Sequence, residues 1–90
     1  MEFTKHALLK LNEREIKEIE ITHVLQNPEE IFLDTETSNI VVVGDRMSKF
    51  GHKLIVVLSE NMTKVITLID TSKTDIIDKR KEKGRWIKIK

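Results

Sequence analysis

The 90-residue chain contains no cysteine, no tyrosine, one proline and three glycines. The absence of cysteine excludes disulfide bonds, thiolate zinc sites and cysteine nucleophiles. The chain has no secretory signal pattern at its N-terminus, and no apolar run approaches the roughly 20 residues that a membrane-spanning helix needs. We therefore expect a cytoplasmic protein with no membrane partner.

The length and the composition favour one small folded domain. Hydrophobic residues make up 39% of the chain and charged residues 34%. A chain this short builds a modest core, so each buried aliphatic side chain contributes a large share of the stability.

Charge is distributed unevenly along the sequence, although the net charge is only +1. Residues 1–38 carry nine acidic and four basic side chains, and residues 79–90 carry seven basic side chains and one acidic side chain. Such separation favours an anionic partner at the basic end or head-to-tail contact between copies, including a homodimer.

The first third of the chain has a helical pattern. Thr4 can accept a hydrogen bond from an unpaired backbone N–H at a helix start. Two apolar clusters follow, but on one straight helix they would miss each other by roughly a quarter turn. We therefore predict two helices, at about residues 5–13 and 18–26, with one bent helix as the alternative. Asn27-Pro28 ends the helical region, because proline disfavours a helical conformation in the residue before it.

From Glu29 onward the pattern becomes that of β-strands. Runs rich in β-branched residues predict strands at about residues 31–34, 40–43, 54–58 and 65–69. The links between them are too short for helical crossovers, so neighbouring strands should pair antiparallel. The central runs are apolar on both faces. The helices would cover one face of the sheet, and the C-terminal segment or a second copy of the chain would cover the other face.

The end of the chain predicts a third helix followed by a short basic segment. Ser72 or Thr74 can cap this helix, and Gly84 can stop it. Residues 85–90 alternate apolar and basic side chains, which fits either an edge strand or a frayed tail. We divide the chain into an α+β domain at residues 1–72 and a basic helix or tail at residues 73–90.

No strong catalytic motif is present. The three histidines, His6, His23 and His52, are too scattered to indicate a metal site, because zinc needs three or four convergent ligands. We predict no metal and no cofactor. His6 can exchange protons or pack at a helix edge, and Arg14 can bind phosphate or pair with Glu18 at the helix end.

Basic side chains form two candidate nucleic-acid contacts. The first is a loop cluster of Arg46, Lys49 and Lys53 beside His52. The second is the C-terminal tail, where cations can neutralise phosphates and Trp86 can either stack on a base or cover the second sheet face. The tail residues that carry this prediction are Lys79, Arg80, Lys81, Lys83, Arg85, Trp86 and Lys88.

The order of motifs resembles a known family. The motifs are Phe3-Thr4-Lys5-His6-Ala7, Glu13-Arg14 with Ile16, Asn27-Pro28-Glu29 with Ile31, Val41 to Gly44, and the runs 54–58 and 65–68. They resemble a small family that has an N-terminal His-Ala helix and is grouped with RelE/ParE-like toxins. The resemblance covers about residues 3–70. It implies an α+β fold in which two N-terminal helices pack on a three- to four-stranded antiparallel sheet, followed by a basic C-terminal helix or tail.

The resemblance also implies a function. Relatives in that superfamily include ribosome-dependent mRNA endonucleases and gyrase inhibitors. We therefore expect a toxin-like RNA-binding protein of a toxin–antitoxin system that cleaves RNA without a metal, with His6 or His52 as the proton carrier and Arg14 at the phosphate. The alternative is a non-enzymatic module that binds a protein target, an antitoxin or itself. The tyrosine typical of the RNA-cutting members is absent.

Overall fold

The computed structural model describes residues 1–90 and contains three helices and six strands. In chain order these are β1 (Glu2–Phe3), α1 (Lys5–Glu13), α2 (Glu18–Gln26), β2 (Glu30–Asp34), β3 (Ile40–Asp45), β4 (Lys53–Leu58), β5 (Lys64–Thr71), α3 (Asp75–Glu82) and β6 (Trp86–Lys88). None of the helices is long and apolar enough to cross a membrane.

The two N-terminal helices are confirmed, with the predicted bounds. The Thr4 side chain accepts a hydrogen bond from the Ala7 backbone N–H at 3.1 Å, which satisfies a donor at the start of α1. The helices are separate because the chain turns between them, where Glu15 adopts a φ of 53°. In this turn the backbone N–H groups of Arg14, Glu15 and Ile16 donate to carbonyls of the last turn of α1.

The predicted sheet is wrong in its size and its pairing. The strands form one six-stranded mixed sheet in the order β1-β5-β4-β3-β2-β6. The four predicted strands pair antiparallel as expected, but β1 adds to β5 in parallel and β6 adds to β2 in antiparallel. The expected three- to four-stranded antiparallel sheet therefore forms only the centre of the fold. Two short edge strands, distant in sequence from their partners, complete it.

Both faces of the sheet are covered. On one face α1 and α2 pack on inward side chains of β3, β4 and β5, and this first core includes Ala7, Val24 and Val56. On the other face Ile77 of α3 and Trp86 of β6 close a second core that includes Phe32 and Ile55. The C-terminal segment, rather than a second copy, thus covers the second face.

The C-terminal segment contains both predicted elements. The helix begins after Thr74 and the chain leaves it at Gly84, whose φ of 70° suits a residue without a Cβ. Of the two alternatives for residues 85–90, the edge strand is present at Trp86–Lys88. The division of the chain into residues 1–72 and 73–90 stays a prediction. Because β6 pairs with β2, removal of residues 73–90 is the experiment that tests it.

Candidate functional site

A buried arginine organises the polar end of the first face. Arg46 follows β3, and only 1% of its side chain is exposed. Its Nη2 donates to the carbonyl oxygens of Arg14 and Glu15 at 3.0 and 3.1 Å, which satisfies two carbonyls that the end of α1 leaves unpaired. Its Nε and Nη1 reach Glu20 and Asp70 at 3.4 and 2.8 Å. Arg46 therefore joins the α1–α2 turn to β5 and has little donor capacity left for a phosphate.

Glu20 is the second buried member of this network. One carboxylate oxygen accepts from the Lys17 backbone N–H at 3.0 Å, and the other accepts from the Ser48 backbone N–H, the Ser48 hydroxyl and Arg46. Burial works to raise the pKa of Glu20, but these hydrogen bonds outweigh it and hold the pKa below its ordinary value. Glu20 is thus a charged group that fixes the loop after β3 to the start of α2.

Asp70 presents His52 to the surface. Its Oδ2 accepts from Arg46, and its Oδ1 lies 2.9 Å from His52 Nδ1. An ionised carboxylate can only accept a hydrogen bond, so in the neutral imidazole the tautomer with hydrogen on Nδ1 fits this contact and leaves the lone pair on Nε2. The His52 side chain is 30% exposed, whereas that of Asp70 is 10% exposed. The geometry is that of an oriented imidazole whose free nitrogen can accept a proton.

A cleft borders this imidazole. Residues 45–52 line an open cavity of about 630 Å³. Lys49 extends into the same region, with its Nζ 3.9 Å from Asp70 Oδ2. Phe50 is fully exposed at the tip of the loop, and the following Gly51 has a φ of 81°. The cleft therefore combines a proton acceptor, a cation and an aromatic surface. We call His52, Asp70, Lys49 and Phe50 the His52 site.

Lys53, the third cation predicted for this loop, is engaged elsewhere. Its ammonium pairs with Asp45 at 2.6 Å and with Glu29. The hydrogen bond to Asp45 is the main reason that the pKa of Lys53 is raised, and it also lowers the pKa of Asp45. Lys53 is therefore neutralised by two carboxylates, while Lys49 beside His52 has only Asp70 near it.

The other two candidate catalytic residues do not join the His52 site through their side chains. His6 is exposed in the first turn of α1, near the start of β5, where the Thr4 N–H donates to the Val65 carbonyl. Arg14 lies at the other end of α1, about 12 Å further along the helix axis. It contributes a backbone carbonyl to Arg46, and its side chain makes no ion pair. The structure thus brings His52 and Lys49 together and leaves His6 apart.

The C-terminal basic residues divide into paired and unpaired groups. Arg85 pairs with Asp34 and Glu36 at 3.1 and 2.8 Å. Lys81 and Lys88 both lie near Glu30, at 3.3 and 3.8 Å. No carboxylate lies within 4.0 Å of the remaining predicted cations, Lys79, Arg80 and Lys83.

Trp86 is a core residue rather than an exposed stacking surface. Only 4% of it is exposed, its ring stacks on Phe32 with centroids 5.6 Å apart, and its indole N–H donates to Asp34 at 3.2 Å. Burial works to raise the pKa of Asp34, but hydrogen bonds outweigh it, first that from Arg85, and leave the pKa below its ordinary value. Asp34 therefore fastens β6 to β2.

Sequence reasoning missed three acidic residues that hold these groups in place: Glu20, Asp34 and Asp70. For two of them, Glu20 and Asp70, the sequence contains a pattern that could have predicted the burial. Glu20 stands four residues before the buried Val24 on the same helical face, and Asp70 stands two residues after the buried Leu68 on the same strand face. A carboxylate at an inward position needs a buried partner, and Arg46 is that partner.

Comparisons with known proteins assign a family. Residues 3–70 match the family model described as "Domain of unknown function (DUF4258)". Searches of curated proteins and of solved structures found no match. The matched span contains α1, α2 and β2 to β5 with the whole His52 site, whereas α3 and β6 lie beyond it. No cluster of three His, Asp or Glu side chains is arranged to hold a metal ion. Because the match covers well over half of the 90 residues, the chain belongs to the DUF4258 family.

Proposed function

We propose that the chain is a toxin-like RNA-binding protein that cleaves single-stranded RNA, with His52 as the proton acceptor. The observation that carries the proposal is the 2.9 Å contact between His52 Nδ1 and the Asp70 carboxylate, which leaves Nε2 free at an open cleft. The finer kinship with RelE/ParE-like toxins is part of this proposal. Its support is the motif order described above.

The reaction follows from the groups at the cleft. His52 Nε2 accepts the proton of a ribose 2′-hydroxyl while the 2′ oxygen bonds to the adjacent phosphorus. The bond from phosphorus to the 5′ oxygen breaks, and that oxygen takes a proton from water, which yields a 2′,3′-cyclic phosphate and a 5′-hydroxyl. The hydroxide left from that water takes the proton from the His52 imidazolium, which restores the neutral imidazole. Asp70 stabilises the imidazolium that forms, and the Lys49 ammonium stabilises the developing charge on the phosphate oxygens. Phe50 provides a surface on which a base can stack.

The test is RNA cleavage by histidine variants. We expect His52→Ala to lower the cleavage rate of a single-stranded RNA by about 10²- to 10⁴-fold, since that is the usual contribution of a positioned general base. His6→Ala is the matched control, because it removes an exposed histidine away from the cleft, and it should keep the wild-type rate. An RNA with a 2′-deoxy residue at the cleaved position should resist cleavage.

Two outcomes contradict the catalytic proposal. One is a wild-type protein that leaves the RNA intact; the other is cleavage by His52→Ala at the wild-type rate. Circular dichroism of each variant establishes that the fold is retained, which is expected because His52 is partly exposed and its loss leaves the Arg46–Asp70 pair in place.

A second candidate function is docking of a protein partner, such as an antitoxin or another copy of the chain. The observation that favours it is apolar exposure at the same loop: Phe50 is fully exposed and Met47 is 53% exposed. Light scattering at increasing concentration distinguishes the two functions for self-association. A dimer that Phe50→Ser dissociates, together with an absence of RNA cleavage, supports the docking function.

A further inference from the structure

Three cations at the C-terminal end of α3 have no carboxylate within 4.0 Å: two lie in the helix, and Lys83 directly follows it. Arg80 is one position after Lys79, and Lys83 is three positions after Arg80, so the three side chains point within about 100° of one another around the helix axis. The neighbouring cations Lys81 and Arg85 are paired with carboxylates. The basic segment therefore contains both paired and unpaired cations. We call Lys79, Arg80 and Lys83 the α3 cation surface.

Arg80 is held in place within this surface. Its side chain is partly buried, and its guanidinium carbon lies 5.7 Å from the centroid of the Trp86 ring. Trp86 is itself fixed by Phe32 and Asp34. A guanidinium stacked on a buried ring retains its N–H donors at the edge and loses little side-chain entropy when it binds an anion.

Two adjacent cavities meet at these cations. A polar cavity of about 320 Å³ is lined by Thr35, Glu36, Arg80, Lys83 and Arg85, with no hydrophobic side chain. A second, of about 400 Å³, shares Arg80 and Lys83 and adds Lys79, Asp75 and Ile76. Glu36 at the first cavity is paired with Arg85 at 2.8 Å, which reduces its repulsion of an anion. Asp75 at the second has no such partner.

We infer that the α3 cation surface binds the phosphodiester backbone of single-stranded nucleic acid, with Arg80 as the anchoring contact, on the sheet face opposite the His52 site. Two cavities that share two cations suit consecutive phosphates rather than one isolated anion. That the polymer is a nucleic acid rests on the proposed function, whereas the anion site does not depend on His52.

The single tryptophan provides a direct readout. The chain has no tyrosine and one tryptophan, so the indole fluorescence comes from Trp86 alone. A short single-stranded DNA is the probe, because it carries the same backbone and lacks the 2′-hydroxyl that the proposed cleavage needs. We expect saturable quenching or a spectral shift, because a phosphate bound to the stacked Arg80 changes the electrostatic environment of the ring. Three phosphate contacts predict a slope of log K against log salt of about −2.

Variants assign the binding to this surface. Arg80→Gln should abolish the fluorescence response and weaken binding about tenfold, measured independently by anisotropy of a labelled DNA. Lys83→Gln should leave the unbound Trp86 spectrum unchanged, weaken binding several-fold and reduce the salt slope by about 0.7. Asp75→Asn should strengthen binding. Lys81→Gln is the matched control, with the same charge change on a lysine that Glu30 already pairs, and should stay within twofold of wild type.

The outcomes separate this inference from the proposed function. His52→Ala should bind the DNA as wild type does even where it no longer cleaves RNA. Equal binding by wild type, Arg80→Gln and Lys83→Gln would overturn the inference. So would a response to inorganic phosphate alone as strong as the response to DNA, since the surface would then be a small-anion site.

Discussion

At the scale of single residues, most of the chemistry lies in how each charge is paired. Arg46 and Glu20 have formal charges yet are as buried as the valines of the core. Lys49 and Arg80 are also cations, but their side chains remain accessible to solvent. Their sequence neighbours do not distinguish these cases. The pairing of Arg46 depends on Asp70 and Glu20, which are 24 and 26 residues away, and this is why sequence reasoning treated all basic residues of the loop alike.

Acid should destabilise the protein through Glu20 and Asp34. Both have a folded-state pKa below the ordinary values of 4.5 and 3.8. Between the folded-state pKa and the ordinary pKa of each group, the unfolded chain therefore binds more protons than the folded one. Their contribution to stability is therefore fully present above about pH 5 and is lost as the pH falls through the folded-state pKa of each group. Urea unfolding midpoints measured from pH 7 to pH 3 should fall steadily below pH 5.

Glu20→Gln tests the source of this effect. The variant should lose about 3 kcal/mol at pH 7, because it breaks a buried ion pair from one side, and it should show a shallower loss of stability in acid. Glu18→Gln, at an exposed position in the same helical turn, is the control and should follow wild type. An unchanged acid slope in Glu20→Gln would show that Glu20 does not contribute the pH dependence.

At the scale of elements, the sequence predicted what is local. The helices at Lys5–Glu13 and Glu18–Gln26 and the antiparallel pairing of β2 to β5 follow from caps, turns and periodicity within short windows. The strand β1 was missed because two residues carry no periodicity. Its parallel partner β5 lies about 60 residues away, and only tertiary packing of α1 brings the two together. The choice between strand and tail for β6 likewise depended on Asp34, which a sequence window cannot place.

The contact between α2 and β3 depends on a glycine. A Cβ on Gly44 would lie 3.2 Å from Val24 Cγ1 and 3.4 Å from the Asn27 carbonyl oxygen. Gly44→Ala should therefore push α2 from the sheet and lower the free energy of unfolding by about 1–2 kcal/mol, as overpacking of a core does. Chemical denaturation measures the change.

A double-mutant cycle with Val24→Ala assigns the cause of that loss. Removing the valine methyl groups opens the space that the new Cβ needs. Gly44→Ala should then cost less in the Val24→Ala background than in wild type. Equal costs in both backgrounds would show that the contact with Val24 is not the reason.

At the scale of the whole molecule, the fold brings the two ends of the charge distribution together. The sequence has an acidic first part and a basic end, which suggested contact between copies. In the structure Glu30, Asp34 and Glu36 of the acidic part pair with Lys81, Arg85 and Lys88 of the basic end. Part of the acidic first segment and part of the basic end therefore neutralise each other within one chain. Within residues 79–90, the cations without a carboxylate partner are those of the α3 cation surface and Lys90.

The same contacts predict that the chain folds as a unit. A chain ending at Ser72 loses α3 and β6, and it exposes the second core over Phe32, Val41 and Ile55. Loss of a buried tryptophan alone costs about 3–5 kcal/mol, and a small domain has only about 5–15 kcal/mol in total. We expect the truncated chain to lack a cooperative urea transition followed by circular dichroism, whereas a chain ending at Lys88 should keep it. A cooperative transition in the shorter chain would instead support two separate parts, residues 1–72 and 73–90, and would make the second core dispensable.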